Sequence, residues 1–265
     1  VGYLTTKGLE LKINYNFIYD LKNNFVWGVG LMSTSGNNKL GGFNNALASL
    51  NAAAQKTSSL TRFYDGASSN DLWAVPSLGI DPATGQEVFL KKNGQSTFTL
   101  DKKDEVVMGN SRETATGVVS TNLTYKGFSF GLYVRYSFGA ERFNSALYNK
   151  VENIAKADIF DNQDARAFTD RWTTPGQIAQ FKAIGLKNDT PISSRFIQKD
   201  DYISGESIRF GYRITDRAWL KRNGVTALGF NALANEFFRV STIKAERGID
   251  FPFSRIYSLS LNVSF

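Results

Sequence analysis

The sequence predicts an all-β membrane protein: a partial antiparallel transmembrane β-barrel whose long extracellular loops hold short helices. Three observations support this fold class. Apolar and polar residues alternate over long segments, most of these segments exceed the usual strand length of soluble proteins, and short turns alternate with long connections. Strict alternation places apolar side chains on one face of a strand and polar side chains on the other. Tilted strands of about ten residues cross a bilayer, whereas soluble strands average about five to six.

The alternation predicts seven strands. It is clearest at the end of the chain, where Tyr257, Leu259 and Leu261 alternate with serine and asparagine. Near the start the same pattern is broken only at Ile18. The predicted strands cover residues 9–20, 25–31, 118–126, 128–138, 195–214, 225–240 and 256–265.

The connections between the predicted strands differ strongly in length. The short ones cover residues 21–24, 126–127 and 215–224, and the long ones cover residues 40–116, 140–194 and 241–253. Short turns at one end and long loops at the other are typical of outer-membrane barrels, whose apolar faces meet lipid while their polar faces line a wet lumen. A soluble β-sandwich with one solvated face produces the same alternation. Strand length and asymmetric connections favour the barrel.

The long connections contain segments of their own. Residues 43–56 carry apolar side chains at helical spacing, which predicts a short helix. Residues 147–155 and 164–172 are two further candidate helices. The turn sequence at residues 81–85 is followed by a candidate hairpin over residues 88–94.

The composition excludes several classes of chemistry. The chain has 265 residues with no histidine and no cysteine, so thiol catalysis, Cys/His metal sites and histidine-dependent triads are absent. No segment is apolar over the length that a transmembrane helix needs. We therefore expect a protein that is not an enzyme, with no catalytic residues and no cofactor.

The charge pattern indicates no nucleic-acid binding. The net charge is +7, but basic doublets such as Lys91-Lys92 and Lys221-Arg222 are scattered rather than clustered with aromatic residues. Solvated loop charges or contacts with anionic lipid headgroups explain them better. The acidic cluster at Asp158, Asp161 and Asp164 lacks the spacing of a calcium loop, so we predict a solvated turn or helix cap there and no metal site.

Two sets of residues are candidates for substrate binding. Aromatic side chains in long loops can stack on sugars or pack on peptides, although they can equally form the local cores of the loops. Charged side chains on the polar face of the strands can contact substrate, although pairing with an element inside the barrel is the favoured role. The predicted binding residues are Phe63, Tyr64, Trp73, Trp172, Arg135 and Arg209.

Several motifs, in order along the chain, resemble a known family. They are NDLWAVPSLGIDPATGQEVFL at residues 70–90, DEVVMG at 104–109, DRWTTPG at 170–176, SRFIQKDDYISGESIRFGY at 194–212 and the segment from residue 241 to the terminal Phe265. Together they resemble the C-terminal part of SusC/RagA-like TonB-dependent transporters of Bacteroidota outer membranes. The resemblance extends over essentially the whole chain.

The resemblance implies a much larger protein. Family members have a plug domain and a 22-stranded barrel, so residues 1–265 correspond to a C-terminal segment of the barrel, with the plug and the N-terminal strands absent. The seven predicted strands then correspond to the last seven of the barrel. Seven strands cannot close on themselves, so we expect an open edge at the first and at the last strand.

The resemblance also implies a function. Members of the family import oligosaccharides or peptides across the bacterial cell outer membrane, with a SusD-like surface lipoprotein as lid and with energy from the TonB complex, which contacts the N-terminal part. The expected partners are thus this lipoprotein, TonB, outer-membrane lipid and the substrate. Two alternatives remain from the residues alone: a soluble or surface-exposed β-sheet binding module, such as an adhesin or lectin, and a small barrel enzyme. The absence of histidine argues against the enzyme.

Overall fold

The computed structural model describes residues 2–44, 46–160, 162–243 and 255–265. It contains fourteen strands in these ranges. The strands are β1 (Tyr3–Asp20), β2 (Phe25–Gly41), β3 (Asp71–Ala74), β4 (Ser77–Ile80), β5 (Glu87–Leu90), β6 (Ser96–Thr97), β7 (Val106–Asn110), β8 (Ala115–Tyr125), β9 (Phe128–Phe138), β10 (Glu141–Phe143), β11 (Ile197–Lys199), β12 (Tyr202–Thr215), β13 (Ala227–Ser241) and β14 (Ile256–Ser264).

The helices of the described ranges are short. None of them combines the length and the apolar composition of a membrane-spanning helix. The α-helices are α1 (Ala48–Lys56), α2 (Arg166–Thr169) and α3 (Ala218–Arg222). A π-helical turn covers Leu147–Glu152, and 3₁₀ turns cover Lys102–Asp104, Lys156–Phe160 and Ser194–Phe196.

Seven long strands form one antiparallel sheet in the order β1-β2-β8-β9-β12-β13-β14. Long strands that follow one another in the sequence are neighbours in the sheet, even where a long connection separates them. Within the described ranges, β1 and β14 pair on one side only. The prediction of seven antiparallel strands is therefore confirmed, with open edges at the first and last strand.

A β-bulge in β1 explains the one break in its sequence pattern. The pairing with β2 shifts between Asn16 and Ile18, so Phe17 is the extra residue. A bulge moves every later side chain of the strand to the other face. Tyr19 consequently lies opposite Val26 on the polar face, whereas the alternation alone places it on the apolar face.

The apolar face carries a line of rings close to the short turns. The rings belong to directly paired residues of five neighbouring strands, β2, β8, β9, β12 and β13. Leu261 of β14 continues the line. The rings of the first pair are 5.1 Å apart. We call this line the aromatic row, and its members are Phe25, Tyr125, Phe128, Tyr212 and Phe230.

On the polar face, glycines of one strand lie beside asparagine and serine of the next strand, so few side chains there project far from the sheet. A Cβ atom at Gly28 would lie 2.4 Å from Oδ1 of Asn16, and one at Gly211 would lie 2.4 Å from Oγ of Ser129. The neighbouring polar side chains therefore lie flat over the glycines. The result is a smooth surface of amide and hydroxyl groups.

The two long connections, residues 42–114 and 139–201, fold together into a second layer that we call the loop body. It contains the small sheets β3-β7, β4-β5-β6 and β10-β11. Its core is formed by buried apolar side chains, which are Leu147, Val151, Ala167, Phe181 and Phe196. Backbone hydrogen bonds join the two connections, including Gly176 N to Pro82 O at 2.8 Å and Ser194 N to Val75 O at 3.0 Å.

Several predicted elements differ from the observed ones. The strand predicted over residues 195–214 is split into a 3₁₀ turn, β11 and β12, because β11 pairs with β10 inside the loop body instead of joining the large sheet. The helix predicted over 43–56 is shorter, and α3 in the third short turn was not predicted. The predicted hairpin over 88–94 belongs to the three-stranded sheet β4-β5-β6. Most of the predicted connection 241–253, and Asp161, lie outside the described residues.

The turn between β8 and β9 has two residues with positive φ, Lys126 at 46° and Gly127 at 90°. Positive φ at both central positions is the geometry of a type I′ hairpin turn. A Cβ atom at Gly127 would also lie 2.5 Å from the carbonyl oxygen of Arg213 in the next strand. Only glycine therefore fits this position without displacing β12.

We expect Gly127→Ala to destabilise the sheet by more than the roughly 1–2 kcal/mol that a left-handed backbone costs an ordinary residue, because a clash with backbone adds to it. Urea unfolding followed by tryptophan fluorescence measures the loss. The matched control is Gly224→Ala, where φ is 69° but no atom lies within 4 Å of the added Cβ. Equal losses for the two variants would contradict the role of the clash.

Candidate functional site

Two arginines lie in one row on the polar face, near the loop body. Arg135 of β9 and Arg239 of β13 both lie directly opposite Ser204 of β12. Neighbouring strands are about 4.8 Å apart, so the two Cα atoms are separated by roughly 10 Å. The strand between them carries only a small hydroxyl at this level. The two guanidinium groups therefore flank a shallow groove.

Acidic groups balance these arginines. Glu206 forms an ion pair with Arg135. Arg239 lies 3.8 Å from Oδ1 of Asp200, and its guanidinium carbon stands 3.8 Å above the centre of the Tyr202 ring. The groove has a volume of about 410 Å³, and Asn235 and Glu236 also line it. Both signs of charge and an aromatic face are thus presented within one opening, which we call the arginine groove.

A second bulge creates this arrangement. The pairing of β12 with both neighbours shifts between Gly205 and Ser207. Against β9, Glu206 is the extra residue, whereas against β13 the two residues Glu236 and Phe237 lie opposite it. Because the bulge adds one residue to the strand, Ser204 and Ser207 both stay on the polar face. Glu206 can then reach Arg135. Bulges are frequent next to binding sites, where they redirect a side chain.

Arg209 lies on the same polar face but farther from the loop body. It is exposed and lies opposite Gly131 of β9 and Leu233 of β13. A Cβ atom at Gly131 would lie 3.7 Å from its guanidinium, so the side chain rests over this glycine. Asn122 and Tyr133 form a hydrogen bond of 3.2 Å nearby. Arg209 is therefore a cation on the smooth amide surface, outside the arginine groove.

A buried ion network holds the loop body together. Arg195 contacts Glu152 at 2.8 Å and Glu87 at 3.0 Å, and both carboxylates are almost fully buried. Thr190 and Ser193 donate hydroxyl hydrogen bonds to these carboxylates at 2.7 Å and 2.5 Å. Burial acts to lower the pKa of Arg195, but the hydrogen bonds and charges of the two glutamates outweigh it and raise that pKa. Arg195 therefore stays charged and links the two long connections.

Two further arginines are buried in the loop body. Arg62 forms a bidentate pair with Glu105, with nitrogen–oxygen distances of 2.8 Å to each carboxylate oxygen. Arg171 instead donates to backbone carbonyls, at 2.9 Å to Ala167 and 3.0 Å to Lys182. Burial lowers the pKa of Arg171, and it also lowers the pKa of Lys182. These side chains serve the folding of the loops, since their donors are occupied.

The predicted loop aromatics are largely engaged within the loop body. The Tyr64 and Trp73 rings are 5.0 Å apart, and Phe63 exchanges two backbone hydrogen bonds of 2.8 Å with the Asn51 side chain. Trp172 donates from Nε1 to the carbonyl of Pro82 at 2.8 Å. Its ring also fills the space beside a glycine: a Cβ atom at Gly85 would lie 2.6 Å from it.

The six predicted binding residues do not form one site. Arg135 and Arg209 share the polar face of the sheet, Phe63, Tyr64 and Trp73 share the first long connection, and Trp172 joins the two connections. Their role in binding stays a prediction. The groove around Arg135 was missed because only the register and the bulge bring its ion-pair partner Glu206 and the second arginine, Arg239, to the same place. The break in alternation around Glu206 is the one sequence signal for them.

Comparison with known proteins gives similarity of structure alone. No protein-family model matches the sequence, and no curated protein matches it. Sixteen chains of solved structures match the fold. Among them is the RagAB peptide importer in its closed-closed state, with a TM-score of 0.74, 15% identity and coverage of 99% of this chain. The importer in its open-open state and a structure of the RagAB peptide transporter both match with a TM-score of 0.75 and 14% identity over the whole chain.

The fold is that of one part of these transporters. The chain spans only 29–30% of the length of the chains that it matches. The resemblance to SusC/RagA-like proteins, based on sequence motifs, is thus confirmed at the level of fold. The three RagAB structures are those of a peptide importer or peptide transporter, and the described residues of this chain form an antiparallel sheet with long loops at one end.

The Arg195 network predicts a specific stability effect. Arg195→Met leaves Glu87 and Glu152 buried without a cation, and removing one partner of a buried ion pair costs about 3–5 kcal/mol. We expect faster proteolysis and faster hydrogen exchange throughout the loop body, with little change in the large sheet. The control is Lys221→Met, because Lys221 pairs with Asp216 at 3.4 Å and both of these side chains are largely exposed. Equal effects of the two variants would contradict the role of the network.

Proposed function

We propose that this chain forms wall and extracellular loops of a SusC/RagA-like TonB-dependent importer in the bacterial outer membrane. The observation that carries the proposal is the seven-stranded sheet, with its two chemically distinct faces, that superimposes on RagAB with a TM-score of 0.75. In this proposal the apolar face meets lipid, the polar face lines the lumen and the loop body lies outside the cell. The chain makes or breaks no bond.

The exposure of the apolar face supports a membrane location. Leu9 is 72% exposed and Leu259 is 87% exposed, and four members of the aromatic row are 37–47% exposed. Soluble proteins rarely expose a continuous apolar surface of this extent. The open edges of β1 and β14 support the same proposal, because strands in lipid must pair all their backbone groups. We propose that both edges pair with further strands of a closed barrel.

The arginine groove favours peptides over oligosaccharides as the substrate class. Arg135, Glu206, Arg239 and Glu236 offer both signs of charge in one opening, which complements the carboxylate and ammonium groups of peptides. The tryptophans that would form a stacking surface for sugars are instead packed within the loop body, as Trp172 is against Gly85. RagAB is itself described as a peptide importer.

The loop body offers a surface for a SusD-like lipoprotein lid. Apolar side chains in its second connection are strongly exposed, including Phe160 at 96%, Ile178 at 91% and Ile184 at 71%. Exposed apolar groups of this kind are common in protein interfaces. TonB would act through parts of the protein outside this chain, as the family resemblance implies.

Uptake measurements test the proposed function. Deletion of the gene in the source bacterium should abolish uptake of labelled mixed peptides and leave uptake of labelled oligosaccharides unchanged. Loss of oligosaccharide uptake instead would contradict the substrate class. Loss of neither would contradict import and would favour a surface binding module.

Within the groove, Arg239→Met should lower peptide uptake by about tenfold, because one charge-assisted hydrogen bond contributes roughly 1.5–3 kcal/mol. The control is Lys103→Met, an exposed cation of the loop body. Immunoblots of outer-membrane fractions verify that both variants reach the membrane in equal amounts. Equal uptake by the two variants would exclude the arginine groove as a substrate contact.

The lid surface predicts a separate result. Phe160→Asp combined with Ile178→Asp should reduce co-purification of the lipoprotein with the transporter by at least about tenfold, because a charge is then placed in an apolar interface. Lys187→Asp, at an exposed position of the same connection, should leave co-purification unchanged. Unchanged co-purification of the double variant would place the lid elsewhere.

A further inference from the structure

The excess positive charge of the chain is not in the loop body. In the long connections, lysines and arginines are nearly equal in number to aspartates and glutamates. Many of these cations are paired, as Arg62, Arg166 and Arg195 are. The net charge of +7 therefore comes mainly from the strands and from the turn end of the sheet, defined as residues 20–24, 126–127 and 213–226.

The turn end carries five exposed cations beyond the aromatic row, which we call the basic rim. Only Lys221 has an ion pair in the described part of the chain, 3.4 Å from Asp216, and both of these side chains are largely exposed. Arg213 is also at this end, but its position in β12 places it on the polar face. The members of the basic rim are Lys22, Lys126, Arg217, Lys221 and Arg222.

Contacts place the basic rim next to the apolar face. Nζ of Lys126 lies 5.1 Å from the centre of the Tyr125 ring, which belongs to the aromatic row. Leu21 and Trp219, in the other two turns, are 63% and 53% exposed. Tryptophan is enriched where hydrocarbon meets headgroups, and basic side chains there snorkel toward the polar phase. Along the strands, from the loop body to the short turns, the surface is thus first apolar, then carries the aromatic row, and ends in the exposed tryptophan and the cations.

We infer that the basic rim docks onto anionic phospholipid headgroups of the leaflet that faces the short turns. The inference rests on the proposed function, because it requires the apolar face to lie in a bilayer. Charge complementarity decides the headgroup: exposed cations at the end of an apolar surface attract lipids with net negative charge more than zwitterionic ones. A cation close to an anionic membrane contributes a preference of about fivefold.

The test inserts the complete transporter that contains this chain into vesicles, because the edges of β1 and β14 need further strands in lipid. The vesicles consist of phosphatidylethanolamine with a minor fraction of phosphatidylglycerol. The protein is then extracted in mild detergent, and native mass spectrometry identifies the lipids that remain bound. We expect phosphatidylglycerol to be enriched at least about fivefold over its bulk fraction. A combined Lys126→Gln, Arg217→Gln and Arg222→Gln variant should lose this enrichment.

The matched control removes the same charge from the loop body through Lys103→Gln, Lys156→Gln and Lys187→Gln, three exposed positions. It should keep the enrichment. Bulk lipid proportions in the wild-type protein, or equal losses in both triple variants, would overturn the inference. Release of the lipid by inorganic phosphate would also overturn it, in favour of a site for the free anion.

Membrane insertion separates this inference from the proposed function. Flotation of the wild-type protein with the vesicles, without any lipid preference, contradicts the basic rim alone. A wild-type protein that stays in the aqueous phase with every vesicle composition contradicts the proposed function itself.

Discussion

The hydrogen-bond register of the seven-stranded sheet is the constraint on which the positions of all the surfaces depend. A shift by one residue in any strand would move its side chains to the opposite face. Tyr125, Phe128, Tyr212 and Phe230 line up only because three successive strand pairs keep the same register at this level. The same register brings Arg135 and Arg239 to either side of Ser204. The apolar and polar surfaces are therefore two results of one pairing pattern.

The loop body follows from the same pairing. Because consecutive long strands are neighbours, both long connections leave the sheet at one end and start close together. Connections of this length are uncommon in compact proteins unless they are functional or disordered. Here they are folded, because Glu87 of the first connection and Glu152 of the second share Arg195. The network makes the two connections one unit, so a partner that binds either of them meets a preformed surface.

The sequence is most informative where a pattern is local. Alternation is sufficient to predict the seven strands, and the positive-φ turn at Gly127 follows from its residues. The irregularity at Ile18 also marks the bulge of β1, although the alternation alone misplaces Tyr19. The groove could not be predicted, because a bulge brings Glu206 to Arg135 and two strand pairs place Arg239 on the other side of Ser204. The split of residues 195–214 was equally hidden, since β11 pairs with β10 about 55 residues earlier in the chain.

The charges of the loop body and of the turn end are arranged differently. Ion pairs inside the loop body, such as Arg62 with Glu105, satisfy charges that burial would otherwise penalise. At the turn end most cations have no acidic partner, because exposed lysines and arginines need none in water. Selection for stability alone would give no reason to gather cations at one end beside an aromatic row. An anionic surface facing that end gives such a reason, and it also makes insertion with the turns on the wrong side of a membrane less favourable.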